Sequence, residues 1–359
     1  MPSQPEAWIA SLTPWPEEFG LGRMRALVAE LGEPQRVYPA IHVVGTNGKS
    51  TATRRAAAFL EREGRLTGAY TSPHVSGWSE RIQVGGEDAD FDAAIARVRP
   101  AAELLAATQF ETLTAAAFAE FAAAGVDVAV VEAGLGGRLD ATNVLDARVV
   151  ALTNIALDHT EVLGETRDEI AREKLAVVAP GATVVLGEPE WEDVAHARGA
   201  DRIVHAEDVG RAAAEQFLGR ELGGDVEVDL PGRFEARGED VFAGAHNPAG
   251  VAWLVDRLPR NDYIVCAAVL ADKDVRAMLT TLSTAGGSFV ATQAETERSL
   301  PADALAAAAR EFFARVESVP DATSALQRAH ELAGPSGAVL VTGSLYLVRD
   351  LYAASEAVR

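Results

Sequence analysis

The sequence predicts an α/β protein built on mostly parallel sheets, with helices on both faces. Three observations carry this. Short apolar runs without polar alternation recur along the chain, as strands buried on both faces require. Alanine-rich helical stretches separate them. The same grammar returns, more briefly, in the second half, and a chain of 359 residues has room for two or three domains.

Residues 41–44 form a compact apolar run that ends at Gly45, and a helix over about 51–63 follows, stopped by Gly64. Residues 126–131, 149–153 and 183–186 read as further strands. In the second half, 264–269, 289–292 and 339–342 read as strands, and 275–282, 302–315 and 322–332 as helices. The alanine-rich stretches 93–107 and 302–309 are good helix formers. The polar stretch 235–240 is taken as the boundary, which gives domains 1–236 and 237–359.

Bulk properties exclude several functions. A formal net charge of −21 argues against nucleic acid and anionic membrane as partners, since both select a basic surface. The same charge repels ATP, so a nucleotide site must make its own positive field. The single cysteine, Cys266, lies in an apolar run and makes neither an internal disulfide nor a zinc cluster; a buried thiol in a reducing compartment is expected. The N-terminal residues lack the pattern of a signal peptide, and no apolar run is long enough to span a bilayer. A cytoplasmic location is expected.

The strongest single motif is Gly45-Thr46-Asn47-Gly48-Lys49-Ser50-Thr51, between a predicted strand and a predicted helix. Backbone N–H groups in such a loop converge on phosphate oxygens, and the helix N-terminus adds partial positive charge. Lys49 adds a full charge, and Ser50 or Thr51 offers a hydroxyl to Mg²⁺. Val43 stands where the usual P-loop has its first glycine. An ordinary glycine turn capped by Ser50 is the bland alternative. A second segment, Glu132-Ala133-Gly134-Leu135-Gly136-Gly137-Arg138-Leu139-Asp140, begins with a carboxylate at a strand's C-terminal end, where open α/β sheets bind ligands. The third contains Asp158-His159, followed by Glu173-Lys174; His159 is a candidate metal ligand through a neutral nitrogen. Taken singly, the second and third segments also read as plain loops. What favours function is that three candidate phosphate or metal elements follow three strands. Gly244-Ala245-His246-Asn247-Pro248 and Asp272-Lys273-Asp274 follow strands in the second half, and Tyr70-Thr71-Ser72-Pro73-His74 is a turn by itself.

Together these segments resemble the folylpolyglutamate/dihydrofolate synthase family within the Mur-ligase superfamily. Gly20-Leu21-Gly22-Arg23, Phe110-Glu111-Thr112-Leu113, Pro231-Gly232-Arg233 and Gly343-Ser344-Leu345-Tyr346 complete the match, in the family's order and over nearly the whole chain. The resemblance implies an N-terminal P-loop ATPase domain with a mostly parallel sheet and a smaller C-terminal Rossmann-like domain that carries glutamate ligation. It implies ATP, L-glutamate and a pterin or folate as substrates, Mg²⁺ as cofactor, and a monomer. Gly45, Thr46, Asn47, Gly48, Lys49, Ser50 and Thr51 would hold the triphosphate, with Arg233 on the nucleotide. Ser72, Glu132 and His159 match metal ligands, alongside Ser50 or Thr51. Lys174 matches a lysine the family carries carbamylated, an anion able to help hold a second Mg²⁺. Gly20, Leu21, Gly22, Arg23, Phe110, Glu111, Thr112, Leu113, Leu139, Asp140 and Ala141 match stretches lining the pterin site. His246 and Asp272 to Asp274 fall near the glutamate side, so Lys49, His159, Lys174 and His246 are the catalytic candidates.

The chain departs from the family in three places. Ser50-Thr51 replaces Gly-Ser after the lysine, Ala243 replaces an acid that contacts the nucleotide, and the 175–232 segment is short. The expected activity is an ATP-dependent ligase acting through an acyl phosphate. A Mur-type ligase for another carboxylate and a non-catalytic nucleotide-binding homologue are the competing readings.

Overall fold

The structure, a computed structural model, describes residues 3–16 and 19–356. It divides into two compact units, one ending at Val228 and the other beginning at Asp229.

The first unit is an eight-stranded sheet. Its strands are β1 (Ala40–Val44), β2 (Thr67–Tyr70), β3 (Ile82–Val84), β4 (Glu87–Asp88), β5 (Val128–Glu132), β6 (Ala147–Leu152), β7 (Thr183–Leu186) and β8 (Arg202–His205), in the order β4-β3-β2-β5-β1-β6-β7-β8. The pairings from β2 to β8 are parallel, and β3 and β4 add an antiparallel edge. β1 lies centrally, paired with both β5 and β6, and all five of its residues are buried. Its alternation is that of a strand covered twice. Ile41 and Val43 pack with Phe59 and Leu60 of helix α1 (Lys49–Arg62). Ala40 and Val44 turn to the opposite face. There α2 (Gln109–Ala124) brings Phe118 and Phe121 onto Val131, and α3 (Arg167–Lys174) brings Ile170 onto Val150 and Leu152. α4 (Val209–Leu218) lies with α1 and adds Val209 and Ala213.

The second unit is a six-stranded sheet. β9 (Arg233–Arg237), β10 (Asp240–Ala243), β11 (Ile264–Ala267), β12 (Ser288–Ala291), β13 (Arg315–Ser318) and β14 (Val339–Thr342) are ordered β13-β12-β11-β14-β10-β9. Only the β9–β10 pair is antiparallel. α5 (Pro248–Asp256), α6 (Val275–Leu282), α7 (Ala302–Ala309) and α8 (Ala322–Ala333) flank it. Its core joins Val265 and Leu340 from the strands to Leu254, Leu279 and Leu305 from the helices. Cys266 is fully buried in β11, as expected.

Two expectations need correction. The polar stretch 235–240 is not a boundary. It is the β9–β10 hairpin, whose charged residues suit a sheet edge, and the second unit starts upstream at Asp229. The helix over 302–315 ends at Ala309, and Arg315 begins edge strand β13. The chain turns between them so that the buried ring of Phe313 reaches Phe289, with centroids 4.7 Å apart. Among the described residues, no helix is long and apolar enough to cross a membrane.

Candidate active site

The candidate residues of the first unit collect at the C-terminal ends of β1, β2, β5 and β6, where a parallel sheet opens its loops to ligands. After β1 the chain turns at Gly45, with φ +148°. A Cβ there would fall 1.9 Å from Thr153 Oγ1, so only glycine lets the loop lie this close to the end of β6. The loop is then pinned to the segment after β6. Thr46 N donates to Asn154 O at 2.9 Å, Asn47 N to Asn154 Oδ1 at 3.0 Å, and Thr153 Oγ1 to Asn47 O at 2.7 Å. Gly48, left-handed at φ +78°, caps α1 without a side chain. The first-turn amides of α1 therefore face no capping oxygen, an arrangement that receives phosphate. Lys49 Nζ reaches back to Thr46 O at 3.3 Å.

One turn of helix brings Ser50 to Glu132, the last residue of β5. Ser50 Oγ donates to Glu132 Oε1 at 3.1 Å, and Ser72 N donates to Glu132 Oε2 at 3.0 Å. Glu132 is only 2% exposed. The turn carrying Ser72 is braced from beneath. The Glu80 carboxylate accepts from Val75 N at 2.8 Å, Ser76 N at 2.7 Å and Ser76 Oγ at 2.8 Å, while buried Arg54 donates to Thr71 Oγ1 and Glu80 O. Glu80 and Arg54 are supports that sequence reasoning did not assign.

His159 lies past the end of β6 in a left-handed conformation, φ 51°, with its side chain 30% exposed and its ring 3.8–3.9 Å from carboxylates of Asp158 and Glu161. Lys174, at the end of α3, is buried. The Gly-rich loop over 134–137 packs on it so closely that a Cβ on Gly137 would come within 2.5 Å of Lys174 O. Burial lowers the Lys174 pKa to about 7, helped by repulsion from Lys49 and opposed by Asp158, Asp140 and Glu173. Ser50 Oγ and the buried Glu132 carboxylate are hard oxygen donors of the kind that suits Mg²⁺, while the turn at Ser72 meets the carboxylate through an amide N–H.

Beside this lies a narrow recess with a cavity volume of about 30 Å³, open to solvent on one side. Gly20, Phe110, Glu111, Leu139, Asp140 and Ala141 are among the residues that line it. Arg23 reaches Glu111, Nε to Oε2 at 2.7 Å, and Leu21 and Gly22 start the helix Gly22–Glu30 beneath. Thr112 and Leu113 turn away into the core: Thr112 Oγ1 donates to Thr108 O at 2.8 Å, and Leu113 packs with Phe118. Trp15, Phe19 and Leu135 complete the wall and were missed. The aromatic residues amid prolines near the N-terminus were the available signal.

In the second unit, Gly244 N donates to Gly232 O at 2.8 Å, and Ala243 pairs with Arg233 across the hairpin. This sets Arg233 and His246 at one end of the sheet. His246 Nδ1 lies 2.9 Å from Gly244 O, and Asn247 caps α5 through Gly250 N at 2.8 Å. Ala243 is buried in the core. Asp272 pairs with Arg298 at 3.0 Å and with Lys273 at 3.2 Å, and Asp274 caps α6.

Residues 43–204 match the Mur ligase middle domain, and residues 232–345 match the Mur ligase glutamate ligase domain. The chain is similar to the dihydrofolate synthase/folylpolyglutamate synthase of Mycobacterium tuberculosis, 34% identical over 415 aligned positions that cover 90% of this chain and 85% of that one. It superposes on the Mycobacterium tuberculosis folylpolyglutamate synthase complexed with ADP with a TM-score of 0.89 and 31% identity, over 99% and 97% of the two chains. A bifunctional folylpolyglutamate synthase/dihydrofolate synthase with Mn, AMPPNP and L-glutamate bound gives a TM-score of 0.85 at 27% identity, over 99% and 98%. Two α/β units, one carrying a glycine-capped phosphate loop, define an ATP-dependent ligase of the Mur type. Within that class, the chain belongs to the folylpolyglutamate synthase/dihydrofolate synthase family.

Proposed function

We propose that this protein is an ATP-dependent ligase that joins L-glutamate to dihydropteroate, to reduced folates, or to both, releasing ADP and phosphate. The observation that carries the reading is Glu132, a buried carboxylate bridging the Ser50 hydroxyl and the Ser72 amide beside an uncapped helix start. Retention of this apparatus opposes a non-catalytic nucleotide-binding homologue.

A carboxylate is a poor electrophile. Its oxygen attacks the γ-phosphorus of ATP, ADP leaves, and the acyl phosphate then accepts the amine of glutamate and releases phosphate. Phosphoryl transfer needs positioning and charge neutralisation more than covalent help. Lys49 and the α1 amides orient the triphosphate and offset the chain's negative field. Ser50, Thr51, Ser72, Glu132 and His159 are the residues that would hold Mg²⁺, which when bound neutralises the phosphate oxygens. The recess beside Asp140 takes the pteroyl group, and Arg233 and His246 belong to the nucleotide and glutamate side.

Lys174 is assigned a carbamate. Carbamylation needs a neutral amine, and a buried lysine titrating near 7 supplies one at neutral pH. The N–C bond forms as the amine attacks CO₂ and loses a proton, leaving an anion beside Lys49.

ADP release measured with dihydropteroate, then with a reduced folate, each with and without glutamate, tests the reading. Glutamate-dependent release with at least one of them is expected. Release with neither would overturn it.

A further inference from the structure

β1 has one polar residue, His42, in the middle of an otherwise apolar strand. It stands opposite Val131 and Val150 in the sheet and is 1% exposed. Its neighbours Ile41 and Val43 pack under α1, so its ring emerges on the other face, on the side of the pteroyl recess. There His42 Nε2 lies 2.8 Å from Thr142 Oγ1, and Thr142 Oγ1 donates to Asp140 Oδ1 at 2.5 Å. Thr142 is fully buried and Asp140 is 5% exposed, in the wall of the recess.

The proton count fixes the direction of this chain. A threonine hydroxyl has one hydrogen, and here it goes to the carboxylate. His42 Nε2 must therefore carry the hydrogen that Thr142 Oγ1 accepts. Burial lowers the His42 pKa to about 4, so the ring does this as a neutral Nε2–H tautomer. At the far end, Asp140 Oδ1 receives both Thr142 Oγ1 and Thr142 N, the latter at 3.0 Å, while Oδ2 receives only Leu135 N at 2.8 Å. A carboxylate oxygen accepts two hydrogen bonds. Oδ1 is therefore filled, and Oδ2 keeps one acceptor position for a ligand.

We propose that His42 is a positioning residue for the pteroyl substrate: acting through Thr142, it holds the Asp140 carboxylate so that Oδ2 meets an N–H donor of the pteridine ring. The inference rests on the ligase reading above. Without the anchor from His42, the Thr142 hydroxyl is free to turn, and Asp140 can rotate or take up a proton in a site that already disfavours its charge through burial.

Two variants and one spectrum test it. His42→Leu removes the donor, and Thr142→Val removes the hydroxyl with little change of shape. Each should raise KM for dihydropteroate roughly tenfold or more, the usual scale for a hydrogen bond to a charged group. KM for ATP should stay within about twofold, although His42 sits on the strand that leads into the phosphate loop. His42→Gln, whose amide restores a donor, should recover most of the loss. In the wild type, NMR should show a slowly exchanging His42 Nε2–H that shifts on adding dihydropteroate and not on adding ADP. Parallel rises in both KM values, no rise in either, or an Nε2–H that ignores dihydropteroate would overturn the proposal. If the substitutions prevent folding, the wild-type spectrum decides alone. A wild-type enzyme inactive on every pteroyl substrate is a different result, and it would overturn the ligase reading instead.

Discussion

Ser50 and Glu132 are joined, Oγ to Oε1 at 3.1 Å, although they come from different elements 82 residues apart. The bond spans the gap between the start of α1 and the end of β5, so the glycine loop and the Glu132 carboxylate form one unit. Glu132→Gln keeps the shape and removes the charge; its amide oxygen can still accept from Ser72 N, while its NH₂ can only donate toward Ser50 Oγ. It should lower kcat about a hundredfold or more, the usual scale for a lost electrostatic group, and should raise the Mg²⁺ concentration needed for half-maximal rate. Kinetics across a magnesium series check this. Unchanged magnesium dependence would remove Glu132 from the metal site.

Lys49 is held over its own loop by Thr46 O. Lys49→Ala should abolish ligation and leave the fold intact, as seen by circular dichroism. A purified variant keeping more than about a tenth of wild-type turnover would refute the phosphate assignment, because such groups normally supply more. Removing Lys49 also removes the charge that helps depress Lys174, so the pKa of Lys174 should rise in this variant.

At Ala243 the family resemblance leads one to expect an acid toward the nucleotide, and here the residue is an alanine packed into the core of the second unit. A buried methyl group makes no polar contact with a base or ribose. Discrimination between ATP and GTP should therefore be weak, with kcat/KM values within about tenfold, the equivalent of one modest hydrogen bond. A strong preference for ATP would show that another residue has taken over the contact.

The legible parts of this molecule were those written as contiguous pattern. β1, with no polar interruption but His42, and the glycine loop after it announced a buried central strand leading into a glycine-capped helix. What escaped was written across the chain. β2 and the β3–β4 edge are short and half polar, and they exist because β5 and β2 pair with them. β9 and β10 look like a linker because their charges suit an edge hairpin. In the site, Glu80 reads as a surface acid until the turn at 75–76 is seen to donate to it. His42 reads as an oddity in a strand until Thr142, a hundred residues away, supplies its partner.

Lys174 gives the last prediction, on stability as well as activity. Burial lowers its pKa from the ordinary 10.5 to about 7 in the folded chain. In CO₂-free buffer above about 10.5 the amine is neutral in both states and the shift costs nothing. As pH falls toward about 7, the unfolded chain takes up the proton and the folded chain does not, so this residue's contribution to stability is lost progressively. Below about 7 both states bind it and the deficit is complete, on the order of a few kcal/mol. The difference in unfolding free energy between Lys174→Met and wild type should therefore grow in the variant's favour as pH falls from about 10.5 to about 7, then level off. Activity should move with the same amine. If Lys174 carries the proposed carbamate, which can form only on the neutral amine, then removing CO₂ and bicarbonate at acidic pH should silence the enzyme, and returning to neutral pH with bicarbonate should restore it. Lys174→Ala should be inactive and partly rescued by acetate, a small anion able to occupy the vacated space. Isotope-labelled CO₂ should appear by NMR as a carbamate in the wild type and not in Lys174→Ala. A flat stability difference across this pH range would place Lys174 in solvent, and near-normal activity of Lys174→Ala would remove the carbamate from the mechanism.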